Sequence, residues 1–187
     1  MDSSYSIGKQ MISEQEIDKR VRALTEQIVL DTGAALGREL LLVGILNGSV
    51  FFLSDLARRM PPELDVKIDF MAISSYGSAV NSSGVVRIIK DIGSDIEGKD
   101  VLIVEDIIDT GLTLSYLLDV LQARNPARLR TCVLLDKFER RKESVKVDYC
   151  GFLIPDAFVI GYGLDCGGKW RHLPGIHMVS QTDPSSV

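Results

Sequence analysis

Acidic residues, threonines and a glycine are concentrated in residues 105–113, which read EDIIDTGLT. Glu105 and Asp106 directly follow four apolar residues, and Asp109 comes three positions later. Carboxylates in this arrangement can hold a polyol or a cation, and one of them can accept a proton during catalysis. The TGLT that follows Asp109 begins a predicted helix, whose free backbone N–H groups and threonine hydroxyls favour phosphate. The stretch therefore predicts a phosphate site beside carboxylates.

Two simpler interpretations of this stretch remain open. Thr110 or Asp109 could be an ordinary N-cap, which stabilises a helix without any ligand. Glu105 and Asp106 could instead form the acidic metal pocket of a receiver-like α/β domain, although that pocket usually follows the first strand and these acids come late in the chain. The complete string of apolar residues, acids and Asp-Thr-Gly-x-Thr is more specific than a glycine-containing turn, and it favours the phosphate site.

The elements that must position this stretch alternate between strand and helix patterns. Residues 40–46 and 101–104 are continuous apolar runs, as expected for parallel strands that are buried on both faces. A capping box of Ser13 and Glu16 predicts a helix that Gly33 can close. Further helices are predicted over residues 50–60 and 112–124, and further strands over residues 64–73, 85–89 and 129–135.

This alternation predicts an α/β fold with a central, mostly parallel twisted sheet and flanking helices. Ligands of such sheets bind at the carboxyl ends of the strands, so residues 47–49, residues 105–113 and the residues after Leu135 should meet at one site. After Lys142 the pattern changes to short strands and turns. We expect one domain over residues 1–187, with a small hood formed by the two termini, mainly by residues 143–187.

A serine- and glycine-rich segment, SSYGSAVNSSG at residues 74–84, predicts a mobile lid loop. Such a loop can close over a site and exclude water from it.

The composition is that of a globular protein, with 187 residues, 45% of them hydrophobic, and a formal net charge of −5. This charge argues against a general nucleic-acid binder, although Arg140, Arg141 and Lys142 form a small basic patch. The cysteines are odd in number and lie on separate segments, which favours reduced thiols. No segment is typical of a signal peptide or a membrane span, so we expect a cytoplasmic protein.

Residues 101–114, VLIVEDIIDTGLTL, closely resemble the phosphoribosyl-pyrophosphate signature of the type I phosphoribosyltransferases. Other segments agree, in order, with the hypoxanthine-guanine branch of this family: VGILNGSVFF, ISSYGS, VLLDKFERR, PDAFVIGYGLD and KWRHLP. The resemblance covers residues 43–179. It implies the type I phosphoribosyltransferase fold and a Mg²⁺-dependent reaction of purine salvage. In that reaction, phosphoribosyl pyrophosphate and hypoxanthine or guanine give IMP or GMP and pyrophosphate.

The resemblance also implies roles for individual residues. Asp109 would be the general base, while Glu105 and Asp106 would hold the ribose hydroxyls and, with Asp165, the Mg²⁺ ion. The 5′-phosphate would be cradled by Asp109, Thr110, Gly111, Leu112 and Thr113. The purine would be bound by Lys137, Phe158, Val159 and Asp165. Pyrophosphate would be bound by Leu46, Asn47, Gly48 and Arg171, and Ser75 and Tyr76 would belong to the lid.

Each of these side chains also has an ordinary structural interpretation. Lys137 could be a surface lysine at a strand end, Phe158 a core aromatic, Asp165 a turn residue and Arg171 a solvated charge. Asn47 departs from the family, because many relatives carry Lys or Arg at this position. In this family the Leu46–Asn47 peptide can be cis.

Substrate choice and rival functions follow from the same residues. The ammonium of Lys137 donates hydrogen bonds and cannot accept them, which favours a 6-oxopurine over adenine. One rival function is an RNA-binding attenuator on the same fold, which would need a basic face. Another is a noncatalytic phosphate-binding domain. The resemblance also implies a homodimer or homotetramer, because dimers and tetramers are usual in this family.

Overall fold

Alternating strands and helices build the chain, as its apolar runs predict. The computed structural model describes residues 5–33, 39–75 and 86–181. The strands of these segments are β1 (Tyr5–Ile12), β2 (Leu40–Leu46), β3 (Val66–Ser75), β4 (Val86–Lys90), β5 (Asp100–Ile108), β6 (Arg128–Asp136), β7 (Tyr149–Leu153), β8 (Val159–Ile160) and β9 (Ile176–Gln181). The α-helices are α1 (Glu14–Gly33), α2 (Val50–Ala57) and α3 (Leu112–Gln122). A short 3₁₀ helix covers Phe138–Arg140.

The central sheet has six strands in the order β4-β3-β2-β5-β6-β7. All neighbouring pairs are parallel except β3 and β4, which are antiparallel. The predicted α/β fold with a mostly parallel sheet is therefore confirmed. The carboxyl ends of β2, β5 and β6 lie at the same edge, which brings the three predicted loops to one side of the sheet.

Helices cover both faces of the sheet, and the packing of β2 explains why residues 40–46 are apolar at every position. Successive side chains of a strand point to opposite faces. Leu40 and Leu42 pack in one core cluster with residues of α1 and α2, whereas Leu41 and Val43 pack in a second cluster with residues of α3. A strand with a core on each face has no position for a polar side chain.

The predicted start of α1 is confirmed. The backbone N–H of Ser13 donates to Glu16 Oε2 at 2.8 Å, and the N–H of Glu16 donates to Ser13 Oγ at 3.3 Å, which forms the capping box. No helix in the described part of the chain is long and apolar enough to span a membrane.

The hood is a second, antiparallel sheet in the order β1-β9-β8, so it contains both ends of the described chain. Its N-terminal strand β1 was not predicted, because its pairing partner β9 lies at the other end of the sequence. The expected hood boundary also differs from the structure. Although β7 falls within residues 143–187, it pairs with β6 at the edge of the central sheet.

Candidate active site

The predicted phosphate loop lies between β5 and α3. The expected strand over residues 101–104 is longer in the structure, because Ile107 and Ile108 continue the pairing of β5 with β6. Gly111 is the N-cap of α3 and has φ 82°, a left-handed conformation that favours glycine. Among the described residues, no side chain caps this helix. The interpretation of Thr110 or Asp109 as an ordinary N-cap is therefore wrong, and no side chain of the described segments occupies the first N–H groups of α3.

A cavity of about 240 Å³ opens at this helix start. Its lining includes Ile73, Glu105, Ile107, Ile108, Asp109, Thr110, Gly111, Thr113 and Leu114. Backbone N–H groups, two threonine hydroxyls and a glycine surround a space large enough for a phosphate group. Of the predicted cradle residues, Leu112 lies outside this lining, as the first residue of α3.

Glu105 and Asp106 point away from each other, as neighbours on a strand must. Glu105 lines the phosphate cavity. Asp106 packs against the loop that follows β2, since a Cβ atom built on Gly48 would lie 1.7 Å from Asp106 Oδ2. The two carboxylates therefore face two different parts of the site, one on the phosphate side and one on the side of residues 46–48.

Both carboxylates have raised pKa values. Oε2 of Glu105 is buried and has no hydrogen-bond partner within the described segments. Burial, reinforced by the neighbouring Asp106, raises the pKa of Glu105 well above its usual value. Burial also raises the pKa of Asp106 to about 6, against the opposing effects of two backbone N–H groups and of Arg171. A ligand that supplies hydroxyl groups or positive charge would relieve this cost.

The loop after β2 fits tightly between Asp106 of β5 and Gly163, which follows β8. The Leu46–Asn47 peptide is cis. A Cβ atom on Gly163, which has φ 104°, would lie 1.9 Å from the carbonyl oxygen of Gly48. Arg171 donates to the Gly163 carbonyl at 2.6 Å and pairs with Asp165 at 2.6 Å. These contacts bring together the predicted pyrophosphate residues and Asp165.

Gly48→Ala should destabilise the protein by about 1–3 kcal/mol and reduce its turnover, because the new methyl group overlaps the Asp106 carboxylate. Urea unfolding measures the loss of stability. Gly93→Ala is the matched control, since the nearest atom to its Cβ would be Asp69 Oδ2 at 3.9 Å. Equal stability of the two variants would contradict the tight packing at Gly48.

Of the predicted purine residues, Asp165 lies with the pyrophosphate residues, whereas Lys137 lies beside Asp109 of the phosphate loop. Lys137 follows β6 and is only 7% exposed, so its interpretation as a surface lysine is wrong. Phe158 is 57% exposed, so it is not a core aromatic. Val159 is buried in β8, where it pairs with Met178 of β9. The backbone N–H of Lys137 donates to the carbonyl of Ile108 at 3.0 Å, which joins the ends of β6 and β5.

Two charged residues of this region were not predicted as site residues. Arg140 donates to Asp109 Oδ1 at 2.7 Å and to Asp156 Oδ2 at 2.9 Å. Asp156 stands within PDAFVIGYGLD, and Arg140 within VLLDKFERR, but neither segment indicates that the two residues meet. Arg141, its neighbour, pairs with Asp136 at 2.5 Å. Much of the predicted basic patch is therefore neutralised by carboxylates.

The remaining predicted residues are less fully described. Ser75 ends β3, whereas Tyr76 and most of the predicted lid fall outside the described residues. Within the described segments, no group of three or more His, Cys, Asp or Glu side chains is arranged to hold a metal ion. Asp165, predicted to join Glu105 and Asp106 at a metal, pairs instead with Arg171.

An α/β sheet with a phosphate-sized cavity, carboxylates and a buried lysine at its carboxyl edge is the arrangement expected of an α/β protein that binds a phosphate-bearing ligand. The phosphoribosyl transferase domain family matches residues 9–166. A hypoxanthine-guanine phosphoribosyltransferase of Dictyostelium discoideum is 51% identical over 165 residues, which cover 88% of this chain and 91% of that protein. A hypoxanthine phosphoribosyltransferase of Escherichia coli (strain K12) is 47% identical over 173 residues, which cover 92% and 96%.

Solved structures agree with these relatives. A crystal structure of a hypoxanthine-guanine phosphoribosyltransferase from Bacillus anthracis superposes with a TM-score of 0.85 at 43% identity, covering 94% of this chain and 98% of that one. A hypoxanthine phosphoribosyltransferase from Staphylococcus aureus gives a TM-score of 0.86 at 43% identity, covering 93% and 92%. The chain belongs to the phosphoribosyltransferase family.

Proposed function

We propose that the protein is a purine-salvage enzyme that transfers the 5-phosphoribosyl group of phosphoribosyl pyrophosphate to hypoxanthine, and also to guanine. The products are IMP or GMP and pyrophosphate. The observation that carries this proposal is the cavity at the start of α3, which is lined by Glu105 and Asp109, with the buried Lys137 Nζ 3.7 Å from Asp109 Oδ2. The names of the relatives at 47–51% identity point to the same substrates.

The phosphate loop would hold the sugar phosphate. The N–H groups and hydroxyls of residues 109–113 bind the 5′-phosphate, while Glu105 and Asp106 accept hydrogen bonds from the ribose hydroxyls. Glu105 Oε2, buried without a partner among the described residues, is well suited to receive a hydroxyl donor. Asp109 lies on the rim of this cavity and is the general base near N7 of the purine.

The purine would lie between Lys137 and Phe158. The ammonium of Lys137 donates to the 6-oxo group, the exposed ring of Phe158 stacks on the base, and the backbone of Val159 reads its edge. During transfer, the bond from C1′ to pyrophosphate breaks as the bond from C1′ to the purine nitrogen forms. Asp109 takes up the proton that the purine loses.

The loop after β2 would bind pyrophosphate. Backbone groups of residues 46–48 and the guanidinium of Arg171 contact its oxygens, with Asn47 in place of the Lys or Arg of many relatives. Ser75 lies at the end of β3 and begins the proposed lid, to which we also assign Tyr76. The closed lid would keep water from the activated ribose.

A divalent cation, Mg²⁺, fits the carboxylates of this site. Mg²⁺ commonly takes one or two carboxylates and completes its shell with water and substrate phosphates, so a closed protein site is not required. Asp106 and Asp165, whose charges interact on the side of residues 46–48, would hold it there together with substrate oxygens. Glu105 faces the phosphate cavity and would serve the ribose hydroxyls, so the predicted set of three carboxylates around one ion is not formed by the described residues. When bound, the cation neutralises charge on the departing pyrophosphate.

A substrate panel tests the proposal. The purified protein is incubated with phosphoribosyl pyrophosphate, Mg²⁺ and either hypoxanthine, guanine, xanthine or adenine, and nucleotide formation is followed. We expect turnover of hypoxanthine and guanine and none of adenine, because Lys137 only donates. Absence of turnover with both 6-oxopurines would overturn the proposed function.

The rival function of an RNA-binding attenuator receives no support. Arg140 and Arg141, the centre of the predicted basic patch, pair with Asp109, Asp156 and Asp136, which leaves less positive charge for RNA phosphates. For the intact protein we propose a cytoplasmic homodimer or homotetramer. Light scattering coupled to gel filtration measures the number of copies.

A further inference from the structure

Four charged side chains form a closed ring beside the phosphate loop. Asp109 and Asp156 each direct one carboxylate oxygen to Arg140 and the other to Lys137. The distances to Arg140 are 2.7 Å from Asp109 and 2.9 Å from Asp156, whereas those to Lys137 Nζ are 3.7 Å and 3.5 Å. Arg140 therefore takes the short hydrogen bonds of both carboxylates, and Lys137 keeps only loose contacts with them.

The two cations differ in burial as well as in distance. The side chain of Lys137 is 8% exposed, and that of Arg140 is 45% exposed. A buried ammonium between two carboxylates, with no competing cation, would approach them until its donors were satisfied. The guanidinium of Arg140 can serve both carboxylates at once because it is planar and carries five donors.

The ring also joins three separate segments of the site. Asp109 begins the phosphate loop, Arg140 ends the 3₁₀ helix after Lys137, and Asp156 lies two residues before Phe158. The backbone N–H of Arg140 donates to the carbonyl of Lys137 at 2.9 Å, which fixes the distance between the two cations along the chain. Arg140 can therefore fix the position of the phosphate loop relative to the proposed purine residues.

On the basis of the proposed function, we propose that Arg140 is a positioning residue for purine recognition. By satisfying Asp109 and Asp156, it prevents these carboxylates from capturing the ammonium of Lys137, which stays free to donate to the 6-oxo group of the purine. Arg140 contacts no atom of the substrate in this scheme, and its effect on purine binding passes through Lys137. Its hydrogen bond to the proposed general base, Asp109, would affect kcat rather than the KM for the purine.

Arg140→Ala tests the proposal by steady-state kinetics with each substrate varied in turn. Without Arg140, Lys137 is drawn to the two carboxylates, and the KM for hypoxanthine and guanine should rise about 10-fold, equivalent to about 1.4 kcal/mol. The KM for phosphoribosyl pyrophosphate should change less than about 2-fold. Arg140→Lys should rescue only part of the loss, since an ammonium lacks the planar fork that spans both carboxylates.

A double-mutant cycle with Lys137→Met separates this mechanism from a merely structural one. If Arg140 acts through Lys137, then Arg140→Ala should have little further effect in the Lys137→Met background. Arg124→Ala is the matched control, because Arg124 forms an exposed two-point pair with Asp91 at the far end of α3 and should leave all kinetic constants unchanged.

Three outcomes would overturn the inference: an unchanged purine KM in Arg140→Ala, equal increases in the KM values of both substrates, or full additivity in the cycle. Urea unfolding of Arg140→Ala and Arg140→Lys should match the wild type within about 1 kcal/mol, because a pair as exposed as Arg140 and Asp109 contributes little to stability. Absence of wild-type turnover would be a different result, which overturns the proposed function and this inference with it.

Discussion

Asp109→Asn should lower kcat about 10²–10⁴-fold while the affinity for IMP or GMP changes only a few-fold. An amide cannot accept the proton that the purine loses, but it can keep a hydrogen bond to Arg140, which contacts Asp109 Oδ1 at 2.7 Å. The backbone N–H groups that we propose for phosphate binding are unaffected by the substitution. Single-turnover kinetics and nucleotide titration measure the two quantities separately.

Asp119→Asn is the matched control for this experiment. Asp119 is an exposed aspartate on α3, the helix that begins at the phosphate loop, and its loss of charge should leave kcat unchanged. Unchanged kcat in Asp109→Asn would remove Asp109 from the role of general base. Loss of nucleotide binding would show that its main contribution is to the shape of the phosphate loop.

Asp106→Asn should make the ligand-free protein more stable at neutral pH while it reduces turnover at least about 10²-fold. Burial raises the pKa of Asp106 to about 6, from its usual value of 3.8. The pKa of Asp106 is about two units higher in the folded protein than in the unfolded chain. Ionising this carboxyl group therefore lowers the free energy of unfolding by at most about 3 kcal/mol. Asparagine avoids this cost, and stability gained at the expense of activity is common at functional sites.

The raised pKa of Asp106 makes the stability of the folded protein fall as the pH rises. Because the pKa of Asp106 is higher in the folded than in the unfolded state, its contribution to stability is present below about pH 4 and is lost as the pH rises through about 6. The stability advantage of Asp106→Asn should therefore be about a third of its full value near pH 4.5 and largest above pH 7.

Urea unfolding at both pH values, in a buffer with EDTA, measures this advantage, and Asp119→Asn is again the control. Phosphoribosyl pyrophosphate with Mg²⁺ should stabilise the wild type more than the variant, because ligand binding relieves the cost of the buried charge. An Asp106→Asn protein that is less stable than the wild type at neutral pH would contradict this account of the site.

The central sheet could be predicted from the sequence because its signals are local. The run of residues 40–46 is apolar at every position, and the capping box of Ser13 and Glu16 lies within four residues. The strand end at Ile108 was less predictable, since Glu105 and Asp106 interrupt the apolar run. Pairing with β6 extends β5 across them, and that pairing is tertiary. The same reason explains why β1 was not predicted.

By itself, the sequence determined the phosphate loop and the residues that could act there, because residues 105–113 are contiguous and their glycine and helix start need no distant partner. The tertiary structure decided which residues pack against each of the three carboxylates. Glu105 lines the phosphate cavity and Asp106 packs against Gly48, while Asp109 enters a ring with Arg140. These contacts join segments that are far apart in the chain, and burial and pairing of charge depend on that packing rather than on residue type.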